Sequence, residues 1–146
     1  MNEVTGWSHQ TVFGAEPASA SQVRDFICQH LVAHDLLYLV EDIRSVASEL
    51  ATNATLRATD DERVREARDA STRFIVTLSE ARGVVLLAIR DGSTSVPFRN
   101  TPQVMDVDGR GLRLVETLSH EWGSSTDGSG FTSVWASFGI RTRPGQ

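Results

Sequence analysis

Glu49 and Asn53 stand four residues apart in Glu49-Leu50-Ala51-Thr52-Asn53, inside a long amphipathic stretch. On a helix, side chains at that spacing face the same way. A carboxylate so placed can act as a general base, and an amide oxygen beside it is a hard, neutral ligand for Mg²⁺. Chance produces this spacing often, and a solvated glutamate on an exposed helix face is the simpler reading of the pair alone. Three downstream turn motifs change its weight: Asp91-Gly92-Ser93, Gly109-Arg110-Gly111 and Gly130-Phe131-Thr132.

Each turn motif has a chemical and a plain reading. Asp91 ends an apolar run, where a desolvated acceptor discriminates against ligands that lack a donor; Asp-Gly-Ser is equally a common strand-end turn. Gly92 would leave backbone room beside such a ligand. Gly109 and Gly111 bracket the start of a helix, where N–H groups and the helix dipole can face phosphate; an ordinary helix-entry turn is the alternative. Arg110 and Arg113 are candidate phosphate contacts, and Thr132 can bond a ligand or hold the last strand.

The elements that must position these residues follow from periodicity. Gln10 to Gly14 reads as a short strand. A helix from an N-cap at Ser19 or Ser21 to about His34 carries Val23, Phe26, Ile27, Leu31 and Val32. Asp35 is read as the cap of a second helix reaching about Ala58. Its apolar set, Leu36, Leu39, Val40, Ile43, Val46, Ala47, Leu50 and Ala54, keeps the helical period. At about 100° per residue, Asn53 falls roughly 80–100° and Glu49 roughly 120° from the centre of that stripe, on one flank. Polar groups there line the edge of the core.

Residues 59–72 are highly charged and read as an exposed helical extension or connector. Phe74 to Glu80 and Val84 to Asp91 read as strands around Ala81-Arg82-Gly83. Residues 93–108 hold Pro97, Asn100 and Pro102 and form a candidate lid. A helix from about Gly111 to Ser119, a strand over Trp122 to Ser125, a turn at 127–130 and a closing strand from Phe131 to Gly139 complete the pattern. The 141–146 tail is expected to fray.

Composition bounds the rest. The 146 residues suffice for one domain with a core of its own. The net charge of −5 argues against a general nucleic-acid binder. No apolar run is long enough to span a membrane, and residues 1–9 lack signal-peptide character, so a cytoplasmic location is expected. Cys28 stands alone, which excludes an internal disulfide, and its apolar helical setting marks a packing residue. All 14 basic residues are arginine. A chain without lysine has neither a P-loop nor a Schiff-base lysine.

The four motifs together resemble the GHKL ATPase superfamily, and within it the small anti-sigma-factor serine kinases. Glu49 to Ala54 resembles the N box, Ile89 to Ser93 the first glycine box, and Gly109 to Val115 the second. Gly130 to Thr132 with Val134-Trp135 resembles the last. The resemblance runs from about residue 11 to 138 and implies a single histidine-kinase-like ATP-binding domain over 1–146. The implied fold is an α/β two-layer sandwich, with a mixed, largely antiparallel sheet and helices on one face.

The implied cofactors are ATP and Mg²⁺. Glu49 is the implied catalytic base and Asn53 the Mg²⁺ ligand. Asp91, Gly92, Ser93, Gly109, Arg110, Gly111, Leu112 and Thr132 are implied nucleotide contacts. The implied activity is phosphorylation of a serine or threonine on an antagonist protein, coupled to sequestering a sigma factor; a homodimer is a further implied partner. The chain departs from the family pattern at Arg57, Asp106, Asp108 and Phe131, and in the length of 59–72. Those departures motivate an alternative, a non-catalytic ATP-dependent switch that binds proteins. An orphan histidine-kinase catalytic domain is a third reading, disfavoured because none of His9, His30, His34 and His120 sits in a phosphoacceptor context.

Overall fold

The computed structural model describes residues 6–60, 73–91, 110–126 and 132–141. The elements in chain order are β1 (Trp7–Gly14), α1 (Ser19–Ala33), a 3-10 turn (Leu37–Leu39), α2 (Val40–Asp60), β2 (Arg73–Ala81), β3 (Val84–Asp91), α3 (Arg110–Leu118), β4 (Glu121–Thr126) and β5 (Thr132–Gly139). The strands form one five-stranded sheet in the order β1-β2-β3-β5-β4. All four neighbouring pairs are antiparallel. The expected mixed sheet is therefore corrected. β3 and β4, which α3 connects, run parallel but are separated by β5, so they do not hydrogen-bond each other.

The sheet has one covered face. Phe74, Val76 and Leu78 of β2, Val85, Leu87 and Ile89 of β3, and Val134, Ala136 and Phe138 of β5 alternate inward and are buried. They pack with Val23, Phe26, Ile27 and Leu31 of α1 and with the apolar stripe of α2 in a single core. All eight apolar residues assigned to the second helix by periodicity are buried, from Leu36 to Ala54. Val32, expected inside with the rest of its helix, is 49% exposed. Cys28 is partly buried and packs against the core. The opposite sheet face leaves Val12, Val84 and Leu86 exposed. The architecture is α/β, compatible with a two-layer sandwich. Among the described residues, no helix is long and apolar enough to cross a membrane.

Two expected caps are corrected. The N-cap of α1 is Ala18 and makes no side-chain cap bond. Ser19 is instead buried, and its hydroxyl donates to the Gly14 carbonyl, tying the helix start to the end of β1. Asp35 does not start α2; it ends α1. Its φ of 64° is left-handed. Leu36 N–H donates to Leu31 O at 2.8 Å and Asp35 N–H to Val32 O at 3.0 Å, the bond pair of a Schellman motif. Buried Leu36 and Leu31 supply the apolar contact that accompanies it. Aspartate suits either role, since its short polar side chain caps helices and tolerates the left-handed region.

The remaining boundaries shift modestly. β1 begins three residues earlier than expected, at Trp7, and α2 takes in Thr59 and Asp60. The β2–β3 hairpin closes through Arg82 at φ 56° and Gly83 at φ 81°. Two positive φ values in a two-residue loop are the type I′ turn that matches strand twist.

Candidate functional site

α2 carries the carboxylate–amide pair. It packs over β3 and β5 and against α3, which brings it to the side of the sheet where the other motifs lie. Asn53 is only 5% exposed, far deeper than a flank position. Ala51 and Thr55 are buried as well, because α2 is covered by α1, the sheet and α3 and not by the sheet alone. The buried arc is thus wider than the apolar stripe suggests. Glu49, one turn earlier, stays half-buried.

Among the described residues, Asn53 Nδ2 has no hydrogen-bond partner. A buried amide left unpaired costs about 1–3 kcal/mol, so native structures seldom tolerate one without a reason. The amide has two ends, an N–H donor and an oxygen acceptor. The unpartnered end is the donor, which suits an anionic oxygen.

Glu49 lines a cleft of about 460 Å³ with Arg24, Arg44, Ser45, Ser48 and Leu114. Three helices therefore contribute: Arg24 from α1, the Arg44–Glu49 face from α2 and Leu114 from α3. Arg24 Nη1 donates to Ser48 Oγ at 3.2 Å, joining α1 to α2 at the cleft wall. Arg44 pairs with Glu41 at 3.3 Å. On the exposed surface that pair contributes little and leaves Arg44 adaptable. The wall is cationic and hydroxylated around one carboxylate, suited to an anionic or hydroxyl-bearing group.

The strand ends supply a second cluster. Asp91, last in β3, is the register partner of Thr132, first in β5, and Thr132 is in turn opposite Thr126, last in β4. Directly opposed residues on antiparallel strands have Cα atoms about 4.5–5.5 Å apart. Thr132, 2% exposed, heads the buried row of Val134, Ala136 and Phe138. Two motifs 41 positions apart in sequence are thus adjacent because β5 inserts beside β3. Arg110, Gly111 and Leu112 form the first turn of α3.

The structure thus pairs Asp91 with Thr132 and puts Glu49 with Asn53 on the inner side of the same sheet. Gly92, Ser93 and Gly109, the candidate lid 93–108, the charged residues 61–72, the turn at 127–130 with Phe131, and the 142–146 tail lie outside the described residues. Arg24 and Arg44 were not singled out from the sequence. Arg44 and Ser48 share the spacing of Glu49 with Ser45, so that face was visible; Arg24 reaches the cleft only through tertiary packing. Among the described residues, no three His, Cys, Asp or Glu groups are gathered to hold a metal ion. A Mg²⁺ held by one amide, phosphates and water does not require such a cluster. The Asn53 Nδ2 donor, unpartnered among the described residues, fits an anionic oxygen such as that of a phosphate, and its amide oxygen is of the type that Mg²⁺ accepts.

No protein-family model and no curated protein matches the chain.

Proposed function

We propose that the chain is an ATP-binding regulatory protein with a GHKL-type site, acting as a protein serine/threonine kinase of the anti-sigma-factor type. The observation that carries this reading is the buried Asn53 Nδ2, unpartnered among the described residues, one helical turn from the cleft-lining carboxylate of Glu49. Its other supports are the adjacency of Asp91 and Thr132 and the start of α3 at Arg110.

Bound Mg-ATP supplies the phosphoryl group and the cation that neutralises charge during its transfer. Asn53 would hold the metal through its amide oxygen and a phosphate oxygen through its N–H. Asp91 accepts a hydrogen bond from the adenine amino group, and Thr132 lies beside it at the base of the nucleotide pocket. The first turn of α3, from Arg110, would present backbone N–H groups to phosphate. Glu49 takes the proton of the acceptor hydroxyl as the new O–P bond forms and ADP departs. Arg24 and Arg44 flank the path by which that hydroxyl reaches Glu49. The protein substrate is an antagonist of this chain, and a sigma factor is the second partner.

The test is phosphotransfer from labelled Mg-ATP to co-purified partner proteins, run beside calorimetry with Mg-ATP. The reading expects binding, transfer, and a loss of transfer in Glu49→Gln with binding retained. Binding without transfer to any partner favours the ATP-dependent switch. No binding at millimolar Mg-ATP overturns both.

A further inference from the structure

Three of the four histidines meet far from the Glu49 cleft in sequence and take no part in the chemistry above. His30 and His34 are four residues apart at the C-terminal end of α1, so they share a helix face. His9 reaches them from the inward row of β1. His9 Nε2 and His34 Nε2 are 3.0 Å apart, one donating and the other accepting. The His9 ring stacks on His30 with centroids 3.8 Å apart and planes 16° from parallel. Trp7 stacks on His34 at 3.9 Å and 7°. Phe26 meets His30 edge-on at 4.8 Å.

We propose that the His9–His34 pair is a binding site for a divalent transition-metal ion, Cu²⁺ or Ni²⁺, with the two Nε2 atoms as ligands and water completing the shell. Imidazole nitrogens suit these ions. Metal–nitrogen bonds of about 2.0–2.1 Å drawn to two atoms 3.0 Å apart enclose an angle of about 91–97° at the metal. That is the cis angle of square-planar or octahedral coordination and is narrow for a tetrahedron, so Cu²⁺ and Ni²⁺ fit better than Zn²⁺.

The surroundings hold the two rings in place: His30 stacks on His9 and Trp7 on His34. On binding, the ring that donates in the metal-free pair shifts its proton from Nε2 to Nδ1, which frees the second lone pair with no net proton lost, and both rings turn off the line joining the two nitrogens to aim at the ion. Among the described residues no third ligating group converges with these two, which leaves open positions for water or an exogenous ligand. The ion would clamp the sheet edge to the end of α1, linking residues 25 positions apart.

The test is titration of the full chain with Cu²⁺, Ni²⁺ and Zn²⁺ at neutral pH. Expected are one ion per chain, quenching of the fluorescence component that Trp7→Phe removes, and a melting temperature raised by metal and restored by chelator. His9→Gln and His34→Gln should each weaken binding by about tenfold or more, while His120→Gln leaves it unchanged. The Cu²⁺ paramagnetic resonance spectrum of the unmodified chain should show coupling to two imidazole nitrogens, a reading independent of how the variants fold. Binding unaffected by both variants, a spectrum without imidazole coupling, or tighter binding of Zn²⁺ than of Ni²⁺ and Cu²⁺ overturns the proposal.

Discussion

Asp91 and Thr132 sit opposite each other where β3 ends and β5 begins, with Thr132 almost wholly buried. A buried hydroxyl beside an acidic strand end is a polar corner built into an apolar row. Asp91→Asn is expected to weaken Mg-ATP binding by about tenfold or more, because an amide can turn its donor toward the adenine amino group. Thr132→Val keeps shape and should cost affinity by a smaller factor. Calorimetry on both variants measures this, and unchanged affinity in Asp91→Asn removes it from the nucleotide site.

The end of α1 offers a stability test free of any ligand. Asp35 holds a left-handed φ of 64° within a Schellman motif. Glycine adopts that conformation without the steric cost, offset in part by the greater freedom it gives the unfolded chain. Asp35→Gly should therefore stabilise the protein by about 0.5–1 kcal/mol. Chemical denaturation reads the change; destabilisation of that size would show the aspartate side chain to be needed there.

Gly123 tests the far edge of the sheet. A Cβ at this position would lie 2.7 Å from Trp135 Cζ2, its register partner across β4 and β5. A ring has no flexible end to move aside. Gly123→Ala is expected to cost about 1–3 kcal/mol and to change the near-ultraviolet circular dichroism of Trp135. A variant with the parent's stability and spectrum would show that the ring is not seated on the glycine.

Acid should loosen the histidine cluster. His30 is held below its ordinary 6.5 by burial and by His9 and His34. The unfolded chain therefore binds a proton at higher pH than the folded one, so stability is complete above about 6.5 and falls as pH drops below it. His30→Gln should flatten that part of the stability–pH profile, measured with chelator present so that protonation is read apart from metal. A variant profile as steep as the parent's would assign the acid loss elsewhere.

The legible and illegible parts of the molecule differ in the range of the interaction that decides them. The α2 stripe was readable because local periodicity alone selects which residues turn inward, and all eight from Leu36 to Ala54 do. Asp35 is ambiguous from sequence because aspartate serves both a helix start and a left-handed stop, and only the 31–36 backbone bonds distinguish them. Trp7 to His9 escaped notice as strand because their inward side meets histidines and not aliphatic residues. The depth of Asn53 and the arrival of Arg24 beside Ser48 are tertiary facts, set by helices packing from several sides. The chemistry-bearing types were visible; which of them share a wall was not.

Asn53 gives the sharpest test, because its buried Nδ2, unpartnered among the described residues, sets stability against function. Replacing a buried, unpaired polar group with an apolar one of similar size removes a desolvation cost of about 1–3 kcal/mol. Thermal unfolding of the parent and Asn53→Leu, each with and without millimolar Mg-ATP, reads both effects in one experiment. The predicted result is a nucleotide-free variant that melts several degrees above the parent, with Mg-ATP raising the melting temperature of the parent alone. A variant that melts lower without nucleotide, or that keeps the Mg-ATP shift, or a parent that shows no shift, would contradict it.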